Sequence, residues 1–183
     1  MKSKIFCLEG EWDKSLKPKY SVESYLKYLD EAFSVRYIYR KVNSSVSLQK
    51  YLNTIGTKKY QDYKVVYFAF HGDPRGIELD HSEFLDFDQL AKIAGDSFQD
   101  RIIHFGSCRT LLGSESKILE FKKMTGARII SGYTRSVDFF DSSLLDMAFL
   151  KNVVEYDRPG HIENWIKEKY PRLSEDLGFK VIK

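Results

Sequence analysis

Two short motifs hold the residues of this chain best suited to covalent chemistry. Phe70-His71-Gly72 closes the run Lys64–Phe70, and Gly106-Ser107-Cys108 closes the run Arg101–Phe105. Both runs are apolar, aromatic and β-branched, and read as buried strands. A histidine and a cysteine therefore stand at two strand ends, 37 residues apart. A thiol and an imidazole with glycines beside both are what nucleophilic catalysis by cysteine needs. Cys108 is the candidate nucleophile. His71 takes its proton and returns it to a leaving amine. Backbone N–H groups at Gly72 and Cys108 are the candidate oxyanion hole, and glycine at 72 allows a substrate carbonyl to approach the backbone closely.

The other reactive residues fit this scheme less well. His104 lies inside the fourth strand, between Ile103 and Phe105, where a satisfied core histidine is expected. His81 and His161 read as surface residues. Ser107 has no G-x-S-x-G elbow around it, and no dinucleotide fingerprint or phosphate loop occurs. Cys7 sits in the strand-like run Lys4–Leu8 as a small buried apolar residue. Two cysteines make no disulfide framework, and neither C-x-x-C nor H-E-x-x-H is present, so no metal and no cofactor are expected.

The elements that must position these residues alternate. Strands are predicted at Lys4–Leu8, Arg36–Val42, Lys64–Phe70, Arg101–Phe105 and Ala127–Gly132. Between them, Val22, Tyr25, Leu26, Leu29 and Phe33 recur at helical spacing behind Ser21, which can cap. Ser45–Tyr60 holds a second helix, with Val46, Leu48, Leu52 and Ile55 on or near its inner face. Asp86–Ala94 is a third, and Ser114–Thr125 a fourth, capped by Ser114 and closed by Gly126. Asp141–Val154 and Ile162–Tyr170 follow. Pro18, Pro159-Gly160 and Pro171 read as breakers, and Gly76–Asp80 as a small hairpin element. The third strand is apolar after its first residue, as a parallel strand covered on both faces would be. This order predicts an α/β fold, a three-layer α/β/α sandwich with a mostly parallel sheet, as one domain over 1–183. Sites in such sheets form at the carboxyl ends of the strands, where His71 and Cys108 both fall.

Composition bounds the function. With 43% apolar and 30% charged residues the chain is not disordered. No apolar run reaches membrane-spanning length. The basic start Met1-Lys2-Ser3-Lys4-Ile5 lacks a signal-peptide core, so a cytoplasmic location is expected. A net charge of +3 makes no case for nucleic acid, but its distribution is uneven: +6 over 1–60, −5 over 61–107 and +2 over 108–183. The acidic segment lies between the two motifs, either as a solvated face or as a region that favours a cationic substrate. At the same sheet end, Asp138 and Asp141 are the carboxylates best placed to face a substrate side chain. Asp141 also fits a helix N-cap and Asp138 an Asx-turn. Glu9 ends the first strand and is the third carboxylate there.

The ordered motifs resemble those of caspase-like cysteine peptidases, and among them the CHAT domains related to separase. There an apolar strand ends in His-Gly and the next ends in a small residue before the catalytic Cys, as in Phe70-His71-Gly72 and Gly106-Ser107-Cys108. Downstream, Gly126-Ala127 before a strand and Val137-Asp138 before a helix are similar as well. The likeness spans about residues 64–150. It implies peptide-bond hydrolysis by Cys108 and His71 and a P1 pocket built from loops after the first, third and fifth strands. In separase-like members an acidic residue there selects a basic side chain, which points to Asp138. Implied partners are a protein or peptide substrate and an activator or regulatory protein, with no membrane. Thr134-Arg135-Ser136 departs from the Trp-Pro common before Val-Asp, and Arg135 offers the opposite specificity, for an acidic side chain. Three functions compete: a cysteine endopeptidase cleaving after Lys or Arg, a non-catalytic partner-binding module on the same fold, and a flavodoxin-like or receiver-like binding domain. The last needs an acidic pair directly ending the first strand, which Glu9 and Asp13 do not supply.

Overall fold

The computed structural model describes residues 3–15, 17, 19–156 and 159–183. Its central sheet has six strands in the order β2-β1-β3-β7-β8-β9. These are β1 (Ile5–Glu9), β2 (Tyr37–Lys41), β3 (Val65–Ala69), β7 (Ile102–Phe105), β8 (Ile129–Tyr133) and β9 (Phe179–Ile182). All pair in parallel except β9, which runs antiparallel to β8. A second, antiparallel sheet of β4 (His71–Asp73), β5 (Gly76–Asp80) and β6 (Glu83–Asp86) projects from the end of β3.

Helices cover both faces of the large sheet. On one side lie α2 (Ser45–Ile55), α3 (Phe87–Ala94) and α4 (Glu115–Thr125). On the other lie α1 (Glu23–Phe33), α5 (Phe139–Glu155) and α6 (Pro159–Lys169), with α7 (Pro171–Asp176) following. Alternation along β3 explains the sandwich. Val66 and Phe68 enter one core, Val65, Tyr67 and Ala69 the other, and all five are buried. A strand with two buried faces reads as a nearly continuous apolar run. The mainly parallel three-layer architecture agrees with the reading of the sequence.

Several local expectations are corrected. The hairpin element at Gly76–Asp80 is present as expected, extended into a three-stranded sheet of which it is the middle strand, whereas β9 and α7 add an unforeseen return to the β8 edge. Val46 is 77% exposed and Phe33 also faces solvent, because only Leu48, Leu52 and Ile55 of α2, and Tyr25, Leu26 and Leu29 of α1, turn inward. Ser114 makes no capping bond; its hydroxyl pairs with Ser116 at 2.7 Å. Pro159-Gly160 forms the first turn of α6, where proline's missing N–H costs nothing. Pro18 and Met1-Lys2 lie outside the described residues.

Candidate active site

Parallel pairing brings the ends of β1, β3, β7 and β8 to one edge of the sheet. β3 and β7 are neighbours, with Phe68 level with Phe105, so the segments that follow them meet. Gly72 shows how closely. A Cβ there would lie 2.5 Å from Cys108 O and 2.6 Å from Ser107 Cβ, so only glycine lets the His71 strand seat against the Cys108 turn. The turn is also laced to the segment after β8: Arg109 N donates to Arg135 O and Leu111 N to Tyr133 O, both at 2.9 Å. Arg109 holds a left-handed φ of 53°, an uncommon conformation for a residue with a side chain.

His71 and Cys108 are both half-buried and line one cavity of about 170 Å³. His71 Nε2 lies 2.7 Å from the backbone carbonyl of Trp12. A carbonyl only accepts, so Nε2 carries a proton, and Nδ1 is the nitrogen left for proton transfer. The Trp12 indole stands edge-on to the imidazole at 5.3 Å and further limits its rotation. Cys108 Sγ accepts from Val137 N at 3.4 Å and donates to Val137 O at 3.6 Å. Cys108 and His71 make no hydrogen bond to each other here. Such bonds are often long before a substrate closes the site.

The expected carboxylates are placed differently from expectation. Asp138 is the N-cap of α5: its Oδ1 accepts from Phe140 N at 2.8 Å and Asp141 N at 3.3 Å. The cap expected at Asp141 thus falls three residues earlier, and neither residue lines the cavity. Glu9 is wholly buried. Its carboxylate accepts from Trp12 Nε1 at 2.6 Å, Val22 N at 2.7 Å, Ser21 Oγ at 2.9 Å and Tyr39 OH, with Lys41 Nζ at 3.5 Å. Glu9 therefore cannot meet a substrate. It anchors the loop that delivers Trp12 and its carbonyl. Burial first, then this bond, pushes the Tyr39 phenol far above its usual range.

The acidic residue that does line the cavity was not anticipated. Asp146, buried on α5, accepts at Oδ1 from His104 Nε2 at 2.8 Å and from Tyr133 OH, and at Oδ2 from Tyr67 OH at 2.6 Å. Tyr25 OH lies 3.5 Å from Oδ2 and also bonds Tyr67 OH. His104 Nδ1 pairs with Ser131 Oγ at 2.9 Å. His104 is thus the satisfied core histidine the strand pattern implied. Ser131, His104 and Asp146 have the connectivity of a serine-hydrolase triad, but Ser131 is sealed from solvent and does not line the cavity. Burial, with the Asp146 charge second, pushes the Tyr67 and Tyr133 phenols well above their usual range. Gly106 sits over this floor: a Cβ there would lie 2.6 Å from Tyr67 Oη and 2.8 Å from Asp146 Oδ2. A charged residue on the apolar face of α5, between Leu145 and Phe149, was the one signal in the sequence that could have revealed it. Among the described residues no cluster of His, Cys, Asp and Glu could hold a metal ion, and no helix is long and apolar enough to cross a membrane.

The six-stranded, mainly parallel sheet with helices on both faces is a fold consistent with the caspase-like one. The Arg-specific cysteine proteinase gingipain R superposes with a TM-score of 0.57 at 13% identity, over 96% of this chain and 44% of that one. The chain spans less than half the length of that proteinase. Residues 2–182 match one family model, and the chain belongs to that family, described as "Family of unknown function (DUF6642)". No curated protein matches the sequence.

Proposed function

We infer that the protein is a cysteine endopeptidase acting on a protein partner, with Cys108 as nucleophile and His71 as general base and acid. The observation that carries this reading is the Trp12 carbonyl on His71 Nε2, in the cavity that also exposes Cys108. It fixes the tautomer whose Nδ1 can accept the Sγ proton. The thiolate then attacks the substrate carbonyl, forming the S–C bond. His71 returns the proton to the amine as the C–N bond breaks, and water, deprotonated by the same imidazole, releases the acid and regenerates the thiol. Val137 N–H, aimed at Sγ, stabilises charge on sulfur. Backbone N–H groups at Gly72 and Cys108 are the proposed oxyanion donors.

A basic P1 residue fits best, with Asp146 replacing Asp138 and Asp141 as the carboxylate that favours it. The separase-like order of motifs over residues 64–150 supports the same reading. Two free cysteines, one of them the nucleophile, suit a reducing compartment, so a cytoplasmic location is part of the proposal. A second reading, a partner-binding module without turnover, is favoured by the Cys108 thiol being engaged with Val137 rather than His71. An activator protein that shifts the segment after β8 would reconcile the two. Incubation with a peptide library, with products read by mass spectrometry, tests the proposal. Cleavage after basic residues that vanishes in Cys108→Ala is expected. Cleavage that persists in that variant, or none with the folded protein, contradicts it.

A further inference from the structure

The walls of the cavity beside Cys108 are rings. Trp12 and Phe139 meet edge to face, at 79° and 5.8 Å between centroids, and Tyr20 packs on Phe139 at 4.7 Å. Tyr25 and Tyr67 line the same space together with Asp146. Trp12 is held in place through its indole N–H by Glu9. Aromatic rings lining a cavity together with a buried anion suit an organic cation, which is attracted by both.

The hydrogen bonds of that anion decide which cation. His104, Tyr133 and Tyr67 donate to Asp146, and Tyr25 lies within reach. A carboxylate offers about four acceptor sites, so Asp146 supplies charge without an open pair of oxygens. Ser142 and Ser143 line the cavity too, and both donate to Phe139 O, at 3.2 and 2.6 Å, which leaves neutral hydroxyl oxygens as acceptors. A guanidinium brings five N–H donors in a fixed plane. In this space most of them lose water without gaining a partner, which costs free energy for each. An ammonium brings three donors, and every N-methyl group removes one while adding apolar surface that suits the rings.

We propose that the pocket recognises an alkylammonium side chain, lysine or N-methylated lysine, through ring faces and the charge of Asp146, and discriminates against a guanidinium. This rests on the peptidase reading only in taking the ligand to be a substrate residue; binding is measurable without turnover. The test uses Cys108→Ala protein carrying Trp165→Phe, in which Trp12 is the sole indole. Its fluorescence is titrated with the Nα-acetyl methylamides of trimethyl-lysine, lysine, arginine and norleucine. The lysine and trimethyl-lysine amides are expected to bind within about threefold of each other, and about tenfold or more tighter than the arginine and norleucine amides, a gap of about 1.4 kcal/mol. Tyr20→Ala, which removes an exposed ring without touching the core, weakens both ammonium amides by about threefold, the scale of one exposed cation–π contact. Asp146→Asn, if it folds, removes the preference of lysine over norleucine.

Arginine binding as tightly as lysine, loss of binding on trimethylation, norleucine matching lysine, or no response to any amide each overturns the proposal. The peptidase reading is scored separately, by hydrolysis in the wild-type protein. Hydrolysis after arginine alone overturns the pocket chemistry and leaves the peptidase standing. The expected ranking without hydrolysis supports the pocket and removes the peptidase.

Discussion

His71 lies just past the end of β3 and His104 just before the end of its neighbour β7; His71 lines the cavity, and His104 lies behind it, bonded to the cavity-lining Asp146. At His104 both nitrogens are engaged, by Asp146 and Ser131, and the ring is sealed from solvent. At His71 only Nε2 is engaged, by a backbone carbonyl, and the ring is half-exposed. Acid, imidazole and hydroxyl are all present at the first site, yet no group there is free to move a proton to a substrate. The second has a carbonyl in place of the carboxylate and keeps one nitrogen open, in the cavity that Cys108 also lines. An imidazole acts in catalysis through the nitrogen its surroundings leave free, so burial and saturation leave His104 a structural part, while the open nitrogen of His71 is the one the proposed chemistry uses.

The largest effect that could break this contrast is on turnover. Cys108→Ala and His71→Ala are expected to lower peptide hydrolysis by about a thousandfold or more with unfolding midpoints close to wild type. An activity retained in His71→Ala, or lost only with the fold, would erase the distinction. The reverse pattern is expected on the other side. Asp146→Ala leaves His104 and three phenols without their acceptor, and is expected to destabilise the fold by about 3–5 kcal/mol, read from urea unfolding.

How far each site was legible from sequence follows from what fixes it. His71 and Cys108 stood out because uninterrupted apolar runs such as Val65–Ala69 mark strands, and parallel strands deliver their ends to one edge. The Trp12 carbonyl left no trace, since every residue has a backbone carbonyl and only the tertiary fold decides which one meets His71. Asp146 looked like one more acidic residue on a helix, because its partners come from α1, β3, β7 and β8, far apart in the chain. The cap of α5 was right in kind and displaced from Asp141 to Asp138, as local signals fix helix ends only loosely. Glu9 was right in place and wrong in role, for its burial depends on Ser21 and Tyr39 closing over it. The edge strand β9 was missed because its register against β8 is set by tertiary pairing.

Smaller effects sharpen the comparison. Gly72→Ala places a methyl group against Cys108 O and should cost about 1–3 kcal/mol in stability while reducing hydrolysis further than that loss explains, because it parts the two strand ends. Alkaline titration probes the sealed network. Burial, then the Asp146 charge, holds the phenols of Tyr25, Tyr67 and Tyr133 well above their usual range. In the unfolded chain they ionise near pH 10. Above that pH the folded protein retains more protons than the unfolded chain, so stability is fully present below about pH 10 and falls as pH rises. Phenolate absorbance should show these three and Tyr39, four of the 12 tyrosines, ionising only as the fold is lost. The smallest readout counts thiols. Burial pushes the Cys7 thiol well up, with the Glu9 charge adding to it. Native protein should therefore release one equivalent of chromophore from a disulfide reagent, at Cys108, and unfolded protein two.

Covalent labelling of Cys108 by a lysyl acyloxymethyl ketone, read by intact mass, tests the central assignment most directly. The account predicts one adduct on the wild-type protein, none on Cys108→Ala, and a labelling rate lowered about a hundredfold or more in His71→Ala. An adduct rate unchanged by His71→Ala, or a folded wild-type protein that takes no adduct, would contradict it.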